Sequence, residues 1–212
     1  MNNRISSLTE GLKRWFHRKP SGLEQDPRWI RMKTREFVCS SCGQKHSGLF
    51  ELAYGGPAQW IGEEKKQPNS AIRTFDNVLT EDFCILNGKD FFVRAILYLP
   101  IIGSDRESFG IGCWVTLSKS NFGIYRDTFH TDDQGTLGPW FGWFSNHLKG
   151  YPETLSLKCQ VHPQSGRQRP HIEVEPIDHP LAVEQREGIT FDRILDLYAL
   201  NGHDIRKSLM DS

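Results

Sequence analysis

The chain has 212 residues, of which 37% are hydrophobic and 25% charged, and its formal net charge is zero. This composition is typical of a globular domain of ordinary size and excludes disorder over the whole length. The N-terminus lacks the apolar core of a signal peptide, and five cysteines are an odd number for a secreted disulfide framework, so we expect a cytoplasmic protein.

The first 35 residues differ in charge from the rest of the chain. They contain nine Lys or Arg and three Asp or Glu, a balance of +6, which leaves the remainder at −6. We therefore predict a basic N-terminal arm, residues 1–35, and a single domain, residues 36–212. Apolar residues recur at helical spacing within the arm and predict an extra amphipathic helix: Ile5, Leu8, Leu12, Trp15 and Phe16.

This helix has two interpretations. It packs on its own domain, or it uses Trp15 and Phe16 beside basic residues to bind a partner protein or, through residues 1–19, a membrane surface. Nucleic acid is the weaker expectation, because the basic stretch is short and carries no recognised motif.

The stretch from Phe37 to His46 contains the most closely spaced pair of cysteines. Cys39 and Cys42 have the spacing that wraps one turn of backbone around a tetrahedral metal ion, and Gly43 suits the chain reversal that follows. His46 is near enough in sequence to be a third ligand. The pattern predicts a zinc-knuckle-like loop, although a redox dithiol and ordinary reduced cysteines in a turn remain alternatives.

A structural zinc ion is usually held by four protein ligands, so the knuckle needs one more. Cys84, at the start of an apolar run, is the best candidate, with Cys113 and Cys159 behind it. The expected site therefore consists of Cys39, Cys42, His46 and Cys84, and the expected metal is structural zinc.

Hydrophobic patterning after residue 80 predicts alternating strands and helices. Asn87-Gly88 is a strong hairpin signal, and Ser118 and Thr190 are good N-caps. The predicted elements are strands Phe83–Leu86, Phe91–Leu99 and Phe109–Leu117, a helix from Ser118 to about His130, strands Thr154–Val161 and His171–Glu175, a short helix Leu181–Glu187 and a final helix after Thr190.

Two regions carry further candidate chemistry. Trp140, Phe141 and Trp143 belong to a cluster of aromatic residues that either packs in the core or forms a partner-binding site. Strand alternation places His171, Glu173 and Glu175 on one outward face, with His162 across the hairpin. That group is a weaker candidate for acid–base chemistry or metal binding.

Common catalytic motifs do not occur: the chain has no phosphate-binding loop, nucleophile elbow, His-Glu-x-x-His or dinucleotide fingerprint. From about Phe37 to Leu197 it resembles a bacterial family of unknown function, domain-of-unknown-function family 2199. The resemblance rests on Cys39-x-x-Cys-Gly-x-x-His46, Asp82-x-Cys84, Phe91-Phe-Val-Arg94, Gly112-x-Trp-Val115, Phe141-Gly-Trp143, Tyr151-Pro-x-Thr-Leu-x-Leu-Lys158, His179-Pro-Leu-Ala182 and Gly188-Ile-Thr190. It implies a soluble bacterial protein, lends weight to the four expected ligands as one group, and brings no activity.

Together these features predict an α+β fold. We expect an antiparallel sheet of about five strands with helices on one face and the knuckle at its N-terminal edge. The expected function is a non-catalytic cytoplasmic protein-binding module with a structural zinc, for example a toxin-neutralising (immunity) or operon accessory protein. The alternatives are a metal-dependent hydrolase that uses the zinc site or the His/Glu face, and attachment to a membrane or nucleic acid through the arm.

Overall fold

The computed structural model describes residues 22–62 and 65–210. The predicted amphipathic helix, with Trp15 and Phe16, lies outside the described residues. Five α-helices occur in the described ranges: α1 (Pro27–Thr34), α2 (Lys119–Thr128), α3 (Pro180–Glu187), α4 (Phe191–Leu200) and α5 (Arg206–Met210). Two short 3-10 helices cover Asn69–Arg73 and Gln134–Thr136. None of these helices is both long and apolar enough to cross a membrane.

The described strands form a two-stranded sheet and a large sheet. The first contains β1 (Glu36–Val38) and β2 (Lys45–Ser47). The second has eight strands: β3 (Leu52–Ala53), β4 (Val78–Leu79), β5 (Phe83–Leu86), β6 (Asp90–Pro100), β7 (Ser108–Leu117), β8 (Trp140–Trp143), β9 (Lys158–His162) and β10 (His171–Val174).

The α+β class is confirmed, but the prediction of a purely antiparallel sheet of about five strands was wrong. The large sheet runs β3-β7-β6-β10-β9-β8, and β5 and β4 join it through β6. The β3–β7 and β6–β10 pairs are parallel. Three strands are additional to the predicted five: β3 and β4 have two residues each, too few to show a period in the sequence, and β8 lies within the aromatic cluster.

Strand β6 explains the mixed pairing, because two strands share one of its edges. Its first half pairs with antiparallel β5 across the Asn87-Gly88 turn, where both residues have positive φ, as the central residues of a type I′ turn do. Its second half pairs at Ile96 and Leu97 with β10, which runs parallel to it. Hydrophobic alternation does not indicate which strands share an edge.

Strand β9 begins later than predicted, at Lys158 rather than Thr154. Ser156 has a φ of +62°, so the extended conformation cannot run through it. Thr154 is buried, and its hydroxyl accepts from the Leu148 N–H and donates to the Asn146 carbonyl. The alternating residues before Lys158 therefore form a hydrogen-bonded turn.

The helices pack on one face of the large sheet, as predicted. Alternate residues of β6 and β7 point into the main core, where they meet α2, α3 and α4; examples from the three helices are Phe122, Leu181 and Ile194. A smaller apolar cluster on the opposite face contains Leu79, Cys84, Phe92 and Trp114. The rest of that opposite face is polar or half-exposed.

Part of the predicted arm belongs to the folded domain. Asp26 caps α1 by accepting from the Arg28 N–H at 2.8 Å, and Pro27 follows at the first helical position. Trp29 and Met32 are buried in the main core. Residues 27–34 are therefore a structural element of the domain that carries basic residues on its outer side.

Candidate metal centre

The β1–β2 hairpin shapes the knuckle. Phe37 pairs with His46, and the Cys39 N–H donates to the Gln44 carbonyl at 2.9 Å. The Gly43 N–H donates back to the Cys39 carbonyl at 2.8 Å, and Gly43 has a φ of +70°, which glycine adopts without strain. This tight turn places Cys42 beside His46.

A fourth donor arrives from the C-terminal end of α4. The helix stops at Leu200, Gly202 has a φ of +84°, and the His203 N–H donates to the Tyr198 carbonyl at 2.8 Å. The chain therefore turns back and carries His203 to the knuckle. Two hydrogen bonds of 3.1 Å, between Ser40 and Ser41 on one side and Asp204 on the other, join the two segments.

One potential ligand atom from each of Cys39, Cys42, His46 and His203 lies within 4.8 Å of the others, and the group could hold a metal ion. The Cys42 Sγ lies 3.3 Å from Nε2 of His46. In a tetrahedral zinc site, bonds of about 2.0–2.3 Å separate the ligand atoms by about 3.3–3.8 Å. In addition, Nδ1 of His203 is buried without a hydrogen-bond partner in the described chain. The donor set thus fits zinc once the longer distances between ligand atoms shorten to those of a tetrahedral site.

Aromatic stacking holds the histidines in place. The Phe50 ring lies between His46, at a centroid distance of 4.4 Å, and Tyr198, at 4.0 Å. His203 meets both His46 and Phe50 edge-on. The Tyr198 hydroxyl accepts from the Phe50 N–H at 3.0 Å and donates to the Phe50 carbonyl, so this support is anchored at its back.

The electrostatic environment favours the metal-binding forms of Cys39 and His46. Burial by itself raises the pKa of Cys39, but N–H groups of Cys42 and Ser41 and their side chains act in the other direction, so the pKa is lowered overall. Burial, followed by the nearby His203, lowers the pKa of His46. Zinc binds thiolates and neutral imidazoles, which are the forms these shifts promote.

Cys84 does not belong to this group, so the expected ligand set needs correction. It lies on β5 opposite Phe92, in the smaller apolar cluster with Leu79 and Trp114. Burial raises its pKa to about 12, which disfavours the thiolate. The other two fallback candidates, Cys113 and Cys159, are also buried, in the main core. Sequence reasoning missed His203, although the Asn201-Gly202 turn signal just before it marks a chain reversal.

The His/Glu face forms a second group of potential ligands. His162 on β9 and His171 on β10 are register partners, and their rings stack with a centroid distance of 4.6 Å and an interplanar angle of 1°. With Glu173 they form a second set whose ligand atoms lie within 4.8 Å of one another. Glu175, the fourth predicted member, does not join this set; its carboxylate lies 4.0 Å from the Lys158 ammonium.

The aromatic cluster divides between core and surface. Trp140 packs against the main core, whereas Phe141 and Trp143 are 45% and 40% exposed. Their rings meet edge-to-face with centroids 5.0 Å apart. These two side chains form an exposed aromatic pair at the end strand β8, on the same sheet face as His162.

Comparison with known proteins identifies one family. A family model described as an uncharacterized protein conserved in bacteria (DUF2199) matches residues 38–189. No curated protein and no solved structure gave a match. The matched region includes Cys39, Cys42 and His46 and ends before His203.

Proposed function

Since the chain belongs to the uncharacterised bacterial family DUF2199, which supplies no activity, we propose from the site itself that it is a non-catalytic protein-binding module stabilised by structural zinc. The observation that carries the zinc proposal is the convergence of two cysteines and two histidines on one point. Four protein ligands complete the tetrahedral coordination of zinc and leave no position for substrate or water. The hydrolase alternative therefore gains no support at this site.

The proposed zinc ion cross-links the domain. Cys39, Cys42 and His46 lie before the large sheet in sequence, whereas His203 lies after it and is followed by α5. The α5 helix contacts β1 through a 2.7 Å hydrogen bond from Ser208 to the Val38 carbonyl. A metal ion that joins these segments stabilises the packing of α1, α5 and the knuckle on the main core.

Metal content tests the zinc proposal. We expect protein purified without chelator to contain one tightly bound zinc ion per chain by elemental analysis. Cys42→Ala and His203→Ala should lose it, because each removes one ligand. Cys84→Ala is the matched control, since Cys84 lies in a separate apolar cluster, and this variant should retain zinc. Retention by His203→Ala or loss by Cys84→Ala would contradict the assigned ligand set.

The binding proposal rests on the exposed pair Phe141 and Trp143. Large aromatic side chains that remain this exposed on a sheet face are typical of protein interfaces, where they contribute most of the binding energy. The toxin-neutralising and operon-accessory roles expected above are special cases of this proposal. Five free cysteines are consistent with a reducing, cytoplasmic setting.

Affinity capture from the source cell tests the binding proposal. The wild-type chain should retain a stoichiometric protein partner that the double variant Phe141→Ser/Trp143→Ser does not retain. Ile177→Ser removes an exposed apolar side chain outside this pair and is the control. Recovery of the same partner by the double variant would exclude this surface, and failure to recover any partner would count against the binding proposal while leaving the zinc proposal intact.

A further inference from the structure

A second group of potential ligands, His162, His171 and Glu173, is called the His/Glu group here. It lies on the sheet face opposite the helices, apart from the cysteine centre formed by Cys39, Cys42, His46 and His203. His162 and His171 are held opposite each other by the β9–β10 register, and Glu173 follows on the same side of β10. The Nε2 atoms of both rings point towards one carboxylate: that of His162 lies 3.5 Å from one Glu173 oxygen, and that of His171 lies 4.0 Å from the other.

The donor atoms of this group do not satisfy one another. Both nitrogen–oxygen distances are too long for a good hydrogen bond, which has its heavy atoms about 2.7–3.2 Å apart. Nε2 of His162 is also buried and lacks a hydrogen-bond partner among the described residues. A buried polar nitrogen of this kind costs stability unless something else binds it. A metal ion between the three side chains, about 2.0–2.2 Å from each donor, would do so.

We propose that His162, His171 and Glu173 form a second, exchangeable site for a divalent transition-metal ion. Two imidazoles with one carboxylate suit zinc, nickel, copper or cobalt, whereas calcium and magnesium prefer oxygen ligands alone. Three protein donors leave at least one coordination position to water. Glu173 is 62% exposed, so its carboxylate can rotate to shorten both distances and the ion can exchange with solvent.

The contact between Gln164 and His171 sets the position of the imidazole proton, which must move when Nε2 of His171 binds a metal ion. Its side-chain amide N–H donates to Nδ1 of His171 at 2.9 Å, so the neutral ring carries its proton on Nε2, towards Glu173. A metal at Nε2 moves this proton to Nδ1, which then needs an acceptor. Rotation of the Gln164 amide would offer its oxygen, at the loss of the 3.0 Å contacts of its nitrogen with the His162 and Pro163 carbonyls, which share the second N–H. Gln164→Glu supplies an acceptor directly, as the outer partners of metal-binding histidines usually do.

Equilibrium dialysis of the full chain against zinc, followed by elemental analysis, tests the site. The wild type should bind two zinc ions, one tightly and one weakly. His171→Ala and Glu173→Gln should bind only the tight ion, and Cys42→Ala only the weak one. His147→Ala and Glu175→Gln are matched controls, because His147 pairs with Glu153 elsewhere and Glu175 lies outside the group. Both controls should bind two zinc ions.

Each outcome separates this site from the cysteine centre. A wild type that binds a single zinc ion, lost in Cys42→Ala, would overturn the second site and leave the proposed function standing. A second ion that His171→Ala and Glu173→Gln both retain would also overturn it. Gln164→Glu should tighten the weak site about 10-fold, the scale of outer-partner effects. Because Glu173 is exposed, Glu173→Gln is expected to fold normally, and circular dichroism checks this.

Discussion

The two groups of potential metal ligands differ in how far apart their members lie in the chain. The first joins residues that precede the large sheet, Cys39, Cys42 and His46, to one that follows it, His203. The second comes from a single hairpin and contains His162, His171 and Glu173. In the first group, a bound ion would close a long chain loop between the knuckle and His203, so its binding energy would contribute directly to folding. In the second, the backbone pairing already fixes the side chains, and a bound ion would add little to the fold. Histidine pairs thus support a structural role beside two cysteines and an exchangeable one beside a single carboxylate.

The largest effect on stability should follow removal of His203, the fourth ligand of the cysteine centre. We expect His203→Ala to lower the free energy of unfolding by about 4 kcal/mol or more, because loss of a metal belongs to the most destabilising class of change. For a domain of this size the melting temperature would fall by about 10 °C or more. Thermal unfolding by circular dichroism, with and without EDTA, measures this.

The control for that prediction comes from the other group. His171→Ala, measured under the same conditions, should change the melting temperature far less, because the hairpin register does not depend on its side chain. If His203→Ala and His171→Ala lowered the melting temperature equally, the proposed distinction between a structural and an exchangeable site would be wrong.

A smaller effect should follow removal of the hydroxyl behind the cysteine centre. Tyr198→Phe deletes a buried group that bonds both the N–H and the carbonyl of Phe50, and leaves these backbone groups unpaired. We expect a loss of about 1–3 kcal/mol in urea unfolding. Tyr98→Phe is the matched control, since Tyr98 is 42% exposed. A loss of similar size in both variants would show that Phe50 is not anchored as described.

Acidification should release the two proposed ions at different pH. Protons compete with zinc for imidazole, and burial, followed by the nearby His162, lowers the pKa of His171 from its usual 6.5. The ring therefore stays neutral to lower pH, and the weak ion should remain bound at pH 7 and leave only below about 6.5. Zinc release into a chromogenic chelator, followed from pH 7.5 to 5, measures this.

The cysteine centre should hold its ion to lower pH than the His/Glu group. Its thiolates supply two of the four ligands, and the pKa of Cys39 is lowered overall even though burial opposes this. If Cys42→Ala removes the phase that occurs first on acidification, the order of release is reversed and the assignment of tight and weak sites is wrong.

The sequence predicted the parts of both groups that depend on local spacing. Cys39, Cys42 and His46 share one short hairpin, and strand alternation put His171 and Glu173 on one face. His203 escaped prediction because its position depends on how α4 packs beneath the knuckle, through the stack of Phe50 on Tyr198. Cys84 was a reasonable choice by residue type, yet its side chain lies on the sheet face opposite the main core, buried in the smaller apolar cluster.

The fold shows the same limit. The Asn87-Gly88 hairpin, the helix capped by Ser118 and the stripe of α4 were predictable, because each depends on neighbouring residues. The parallel pairing of β10 with β6 could not be predicted, because it depends on the part of the β6 edge that β5 does not cover. Glu175 failed to join the His/Glu group for a related reason: it follows the end of β10, and its N–H donates to the Lys158 carbonyl at 2.8 Å.

The smallest effect on stability should come from Glu173→Gln, and it separates the two groups most cleanly. The side chain is 62% exposed and lies 3.5 Å or more from both imidazoles, so its ion pairs contribute little to the fold. We expect the free energy of unfolding to change by no more than about 0.5 kcal/mol, as for other surface substitutions. The same variant should lose the weak zinc ion, because an amide is a poor substitute for the carboxylate ligand. A substitution that removes metal binding without affecting stability is what an exchangeable site requires, whereas a large loss of stability would show that Glu173 acts as a structural partner of the stacked histidines.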